Sequence, residues 1–144
     1  MNWKRLIRFR KQVEDLAKEE LAVAQWKRSQ EEAKRARLQE TMYQIAMELE
    51  RNLPHRVAGV YVEERFRWLE QTGHALEQQL AVIRECEHEV AALQEKVKQA
   101  YQARRLVELL AEREAMARKK QMIQQENRQH DEAAARRYHI QQRS

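Results

Sequence analysis

The chain has 144 residues and a mass of 17.4 kDa, about one ordinary domain, with only 2 Gly and 1 Pro along its length, which excludes most β-rich and loop-rich folds. Charged residues make up 35% of it, aromatics 6%, the mean hydropathy is -0.96, and 19 of its apolar residues are Ala, too little bulky hydrophobe for a conventional globular core. Long helices that bury a narrow stripe suit this composition, which is rich in Ala, Glu, Lys, Leu, Arg and Gln. The formal net charge is +5.

No apolar run approaches the roughly 18 residues needed to cross a bilayer. The start, Met1-Asn2-Trp3-Lys4-Arg5-Leu6-Ile7-Arg8, lacks the uninterrupted apolar segment of a signal peptide. A cytoplasmic chain is expected. A single cysteine, Cys86, has no CxxC partner, so neither an internal disulfide nor a zinc knuckle is expected.

In chain order, a first helix is predicted over about 3–52. Leu6, Phe9, Val13 and Leu16, and later Leu38, Met42, Ile45 and Leu49, follow 3,4 spacing, and the intervening segment is polar and Ala-rich apart from Leu21, Val23 and Trp26. The breakers Pro54 and Gly59 place the one turn at about 53–59, since Pro54 biases Leu53 away from helix. A second helix follows over about 60–142. Strict 4,3 alternation from Val62 gives Phe66, Leu69, Gly73, Leu76, Leu80, Ile83, Glu87, Val90, Gln94, Val97 and Tyr101, a seam of coiled-coil type weakened at Gly73, Glu87 and Gln94.

Two helices joined by a short turn run antiparallel, and a turn near residue 56 pairs position i with roughly 112 minus i. This register sets Lys27 and Arg28 opposite Glu85 and Glu87, Glu14 and Asp15 near Lys96 and Lys98, and Lys34 and Arg35 near Glu77. At ~1.5 Å per residue the helices would be about 75 Å and about 120 Å long, so the second overhangs from about Leu110 to Ser144. The expected fold is all-α: a long antiparallel two-helix coiled-coil hairpin with an overhanging C-terminal helix, one domain over 1–144. Met116, Met122, Ile123 and Ile140 are too sparse to bury the overhang unaided, so it frays or a partner completes it.

Positive charge gathers at the end far from the turn. Lys4, Arg5, Arg8, Arg10 and Lys11 come with no acid among the first thirteen residues, the register brings Arg104 and Arg105 beside them, and Arg113, Arg118, Lys119 and Lys120 extend the collar. Such a collar attracts acidic surfaces, whether protein, phosphate or anionic lipid. The plainer reading is a solvated helical face. Residues 12–109 are near-neutral and carry no recognition motif, so no nucleic acid is expected as a partner. Trp3, Leu6, Ile7 and Phe9 could lie on a membrane surface, but Leu6 and Phe9 are read as the first seam residues.

Cys86 and His88 sit two apart on a helix and face different ways, and His55, His74, His130 and His139 are scattered. No phosphate loop, paired-carboxylate cleft or nucleophile motif is present, and a two-helix hairpin offers no pocket to exclude water. No catalytic residue, metal, cofactor or small-molecule substrate is expected.

The Arg-rich first helix, the turn, Trp68-Leu69 with Leu76 and Gln79, Leu106 with Leu109, and the closing Glu126-Asn127-Arg128-Gln129-His130-Asp131-Glu132-Ala133-Ala134-Ala135-Arg136 resemble the flagellar FliJ family over nearly the whole length. Trp68 stands where that family usually has Phe, Thr72 where it favours Leu, and Val97 where Trp is common. The resemblance implies a non-enzymatic component of the flagellar type III protein export apparatus, cytoplasmic and peripherally associated with the inner membrane at the flagellar base. Its implied partners are the hexameric export ATPase, the cytoplasmic part of the membrane export gate, and export chaperones. It assigns ATPase contact to Arg8, Arg10, Lys11, Arg113, Arg118, Lys119, Asp131, Glu132 and Arg136, and gate contact to Trp68, Thr72, Leu76 and Gln79. The alternatives are a homodimeric coiled-coil scaffold and the equivalent stalk protein of a virulence-type secretion system.

Overall fold

In a computed structural model, which describes residues 1–53 and 58–143, the chain folds as two long helices packed against each other, α1 (Trp3–Asn52) and α2 (Gly59–Arg143). The fold class expected from the sequence is the one observed: among the described residues there is no strand. Pro54, His55, Arg56 and Val57, on which the expected turn falls, and Ser144 lie outside the described residues.

Local chemistry sets the helix ends. Asn2 caps α1, its side-chain oxygen accepting the Arg5 N–H at 3.2 Å. At the other end the Leu53 N–H reaches the Leu49 carbonyl at 2.8 Å, and the Asn52 amide donates to the Tyr61 hydroxyl of α2 at 3.1 Å. The Ala58 carbonyl accepts the first N–H groups of α2, from Tyr61 and Val62.

The chain divides into two compact units: a terminal unit, Met1–Val13 with Ala100–Ser144, and a middle unit, Glu14–Gln99. In the middle unit the two helices run antiparallel. Glu48 meets Arg65, Glu31 meets Gln79 and Glu20 meets Lys96, which pairs i with 110 to 116 minus i and brackets the expected 112. The particular charge pairs expected from that register are not the ones formed. Lys96 reaches Glu20 at 2.9 Å rather than Glu14 or Asp15, Lys34 pairs on its own helix with Glu31 at 3.1 Å, Glu77 lies 3.9 Å from His74, and Lys27 and Arg28 make no ion pair with Glu85 or Glu87. An opposite charge three or four residues away on the same helix competes with a partner across the seam.

The core of the middle unit is Ala17, Ala24, Ile45 and Leu49 of α1 against Ile83, Cys86 and Val90 of α2, with Glu14 buried at 2% exposure and its carboxylate 3.0 Å from Lys18. Most of the buried and half-buried positions keep heptad spacing. On α1 they run Glu14, Ala17, Leu21, Ala24, Arg28, Glu31, Arg35, Leu38, Met42, Ile45, Leu49; on α2, Val62, Arg65, Leu69, Thr72, Leu76, Gln79, Ile83, Cys86, Val90, Leu93, Val97. Half of the expected α2 seam is therefore correct: Val62, Leu69, Leu76, Ile83, Val90 and Val97 face α1. At three alternate positions burial moves by one residue, to Arg65, Cys86 and Leu93, which leaves Phe66 54% exposed and Glu87 and Gln94 in solvent, whereas the expected Gly73 and Leu80 are half-buried alongside Thr72 and Gln79. On α1 the C-terminal set, Leu38 to Leu49, packs as expected, whereas Phe9 and Leu16, expected in the seam, are exposed.

In the terminal unit, Trp3, Ile7 and Arg10 face Ala100, Arg104, Val107, Ala111 and Glu114 by burial, and the Trp3 indole N–H donates to the Glu114 carboxylate. From Ala115 to Arg143 every residue of α2 is exposed.

Candidate functional site

Charge is divided sharply between the units. The terminal unit carries 15 Lys and Arg against 6 Asp and Glu, a net +9, and the middle unit carries 13 against 17, a net -4. In the terminal unit the first turn of α1 contains no acid, so Lys4 and Arg5 sit at the positive end of the helix dipole. That placement costs stability of order 0.3–1 kcal/mol per charge.

Of the residues expected to contact an ATPase, Arg8, Lys11, Arg113 and Lys119 are exposed and make no ion pair among the described residues. Arg10 is different: it is half-buried at a seam position, its guanidinium lies 5.9 Å from the Phe9 ring centroid, and its Nε is buried without a hydrogen-bond partner. Arg118 is held by Glu114 at 2.8 Å. Asp131, Glu132 and Arg136 stand exposed on the unpartnered stretch of α2. The Arg104 and Arg105 flank of the collar is neutralised within α2, because both guanidiniums bind Glu108, at 2.6 and 2.9 Å, and Arg105 also approaches Glu112 at 3.7 Å. Hydrogen bonds from Arg105 and Arg104 hold the Glu108 carboxyl below its ordinary pKa. The Trp3 indole does the same, as the largest cause, for Glu114. The collar's open cationic surface is thus narrower than the sequence suggests, Lys4, Arg5, Arg8 and Lys11 on α1 and Arg113, Lys119 and Lys120 on α2, with Arg128, Arg136, Arg137 and Arg143 exposed further along α2.

The residues expected to contact an export gate are not equivalent. Trp68 is exposed, and the Arg65 guanidinium lies 5.8 Å from its ring and 5.3 Å from that of Tyr61 while the Arg65 Nε approaches Glu48 at 3.5 Å. Thr72, Leu76 and Gln79 are half-buried seam residues. The Gln79 amide donates to the Glu31 main-chain carbonyl at 2.8 Å and to its carboxylate at 2.6 Å. That bond is the largest cause holding Glu31 below its ordinary pKa, followed by Lys34.

A further surface escapes the periodicity argument. In the middle unit Leu16, Val23, Ala24 and Leu93 line an open groove of about 450 Å³ with Glu19, Glu20, Glu89 and Lys27 at its edges. Its signal in the sequence is the seven-residue spacing of Phe9, Leu16 and Val23, a second apolar stripe that the sequence reading merges in part with the seam.

Among the described residues no group of three or more His, Cys, Asp and Glu side chains could hold a metal ion, and no helix is long and apolar enough to cross a membrane. The family model described as flagellar FliJ protein matches residues 3–143. The chain belongs to the FliJ family. No curated protein and no solved structure matches it. FliJ membership makes the chain a component of the flagellar type III export apparatus. The FliJ match spans both units.

Proposed function

We propose that this FliJ-family chain is a stalk of the export apparatus: its basic terminal unit enters the hexameric export ATPase, promotes assembly and turnover of the ring, and couples it to the membrane export gate at the cytoplasmic face of the inner membrane. The observation that carries this reading is the terminal unit itself. The unit carries a net +9, two of its cations, Lys4 and Arg5, lie at the unfavourable end of the α1 dipole, and α2 continues past Glu114 for 29 described residues with no side chain buried. Neither feature stabilises the free chain, so both are accounted for by an acidic partner that surrounds the terminal unit. A long helix held in this way biases the conformations of ring subunits by differential affinity, without chemistry of its own.

Gate contact is assigned to the neighbourhood of Trp68, whose ring is exposed and braced by Arg65. Export chaperones remain further candidate partners on the same family grounds. The test is ATP turnover by the cognate hexameric ATPase with and without the chain, titrated at two salt concentrations. Stimulation saturating near one chain per hexamer and weakening with salt supports the stalk. Arg113→Glu with Lys119→Glu should reduce stimulation more than Arg118→Glu, because Arg118 is already engaged by Glu114. Unchanged stimulation by the double variant overturns the assignment.

A further inference from the structure

The groove on the middle unit and the bare end of α2 complement each other. On α1, Leu16 is 59% exposed and Val23 67%, seven residues apart, and Leu93 of α2 completes an apolar floor between them. Three carboxylates and one cation, Lys27, stand at the edges of the groove. Glu20 is engaged by Lys96, but Glu19 and Glu89 make no ion pair among the described residues. Past Glu114, α2 presents Met116 and Ile123, also seven residues apart and exposed, with Ala117 on the same stretch and Lys119 and Lys120 beside them. Neither lysine has an ion-pair partner among the described residues.

We propose that two copies of the chain associate by seating the Met116 to Gln124 stretch of one in the Leu16–Val23–Leu93 groove of the other. Two observations select a second copy as the occupant. The apolar spacings match at the heptad period, so Met116 and Ile123 pack as knobs beside Leu16 and Val23. Charges oppose in sign both locally, Lys119 and Lys120 against Glu19 and Glu89, and by unit, +9 against -4. Each copy offers both a groove and an end, and the pair proposed is the reciprocal one, in which the contact is made twice. The hairpin within each copy is kept, which separates this association from an intermolecular coiled coil that would replace it.

Sedimentation equilibrium of the full chain at low salt tests the contact without any other protein, so its outcome is independent of the ATPase assay. The mass should rise with concentration from the 17.4 kDa monomer to about 35 kDa, twice that value. Lys119→Glu with Lys120→Glu, and separately Glu19→Lys with Glu89→Lys, should each weaken association roughly tenfold or more. All four changes in one chain should restore it, because only residues that meet can be exchanged in this way. All four side chains are exposed, and helix content by circular dichroism checks that each variant folds. Val23→Cys with Ile123→Cys should trap a disulfide-linked pair under mild oxidation. A monomer at every concentration, an association indifferent to both reversals, or a fourfold variant no better than either double variant overturns the proposal. So would association driven only by addition of a different basic helical protein.

Discussion

Gln79 of α2 donates its side-chain amide to two atoms of Glu31 on α1, the main-chain carbonyl and the carboxylate. A carbonyl that accepts from outside its own helix ties the two backbones together at one level, so this contact fixes the axial register of the middle unit in a way apolar packing does not. Gln79→Ala should lower the thermal midpoint and let the Glu31 carboxyl return toward its ordinary pKa, which NMR titration of that side chain measures. Any loss of gate binding in this variant would report a loosened hairpin.

Trp68→Ala is the cleaner probe of gate contact. The ring is exposed, so its removal should leave helix content and thermal midpoint nearly unchanged, within about 0.5 kcal/mol, while weakening association with the cytoplasmic part of the gate. Isothermal titration against that fragment separates the cases. Binding equal to that of the unsubstituted chain removes Trp68 from the interface.

Acid should loosen the fold in a defined direction. Glu31, Glu108 and Glu114 all have carboxyls held below the ordinary value, by Gln79, by Arg105 and Arg104, and by Trp3 respectively. A group whose pKa is lower folded than unfolded contributes stability above the unfolded pKa and loses it as pH falls through the folded one. These three contributions are therefore complete above the ordinary Glu value of about 4.3 and decline below it. Thermal midpoints measured from pH 7 down to pH 3 at constant ionic strength should hold level and then drop. Gln79→Ala should reduce the acid-sensitive part, since it removes the largest cause of the Glu31 shift.

The seam gives a direct contrast of magnitude. Ile83 is 3% exposed, and Ile83→Ala should cost about 2 kcal/mol or more, the low end for a buried aliphatic. Phe66→Ala removes a larger side chain, yet the change should stay near 0.5 kcal/mol because the ring lies outside the contact. Chemical denaturation of the two variants checks this, and comparable losses would show that Phe66 packs.

Phe66 also shows why the sequence was legible only in part. The two helices and their antiparallel pairing followed from sparse Gly and Pro and from the apolar heptads, and the level of pairing came within a few residues. The phase of the alternate seam positions did not. Large apolar residues at 66 and 101 outvoted Arg65 and Ala100, because the true positions are small or polar, and at the level of Leu80 the contact is shared with Gln79, whose amide bonds Glu31. On α1 the same rule put Leu16 in the seam where Ala17 packs. Close packing of two helices favours small residues at the contact, and a hydrophobicity count cannot see that preference. The open cationic surface was overdrawn for a related reason: i,i+3 and i,i+4 partners at Glu108 and Glu114 engage Arg104, Arg105 and Arg118, and composition does not show which charges are taken.

Gly73 carries the last prediction. It lies inside α2, has no positive φ, and a methyl group added there meets nothing within 4 Å. Glycine in a helix interior costs about 0.5–1 kcal/mol relative to alanine, chiefly through the freedom it restores to the unfolded chain. Gly73→Ala should therefore stabilise the fold by that amount, seen as a higher thermal midpoint with an unchanged denaturant slope. Gly73 sits one residue from the seam position Thr72 and five from Trp68, so the same variant bears on function. If gate binding depends on local bending of α2 beside Trp68, the stabilised variant binds the gate fragment more weakly. If α2 acts there as a straight helix, affinity is kept or improved while stability rises, and the glycine is a stability deficit unconnected with the contact.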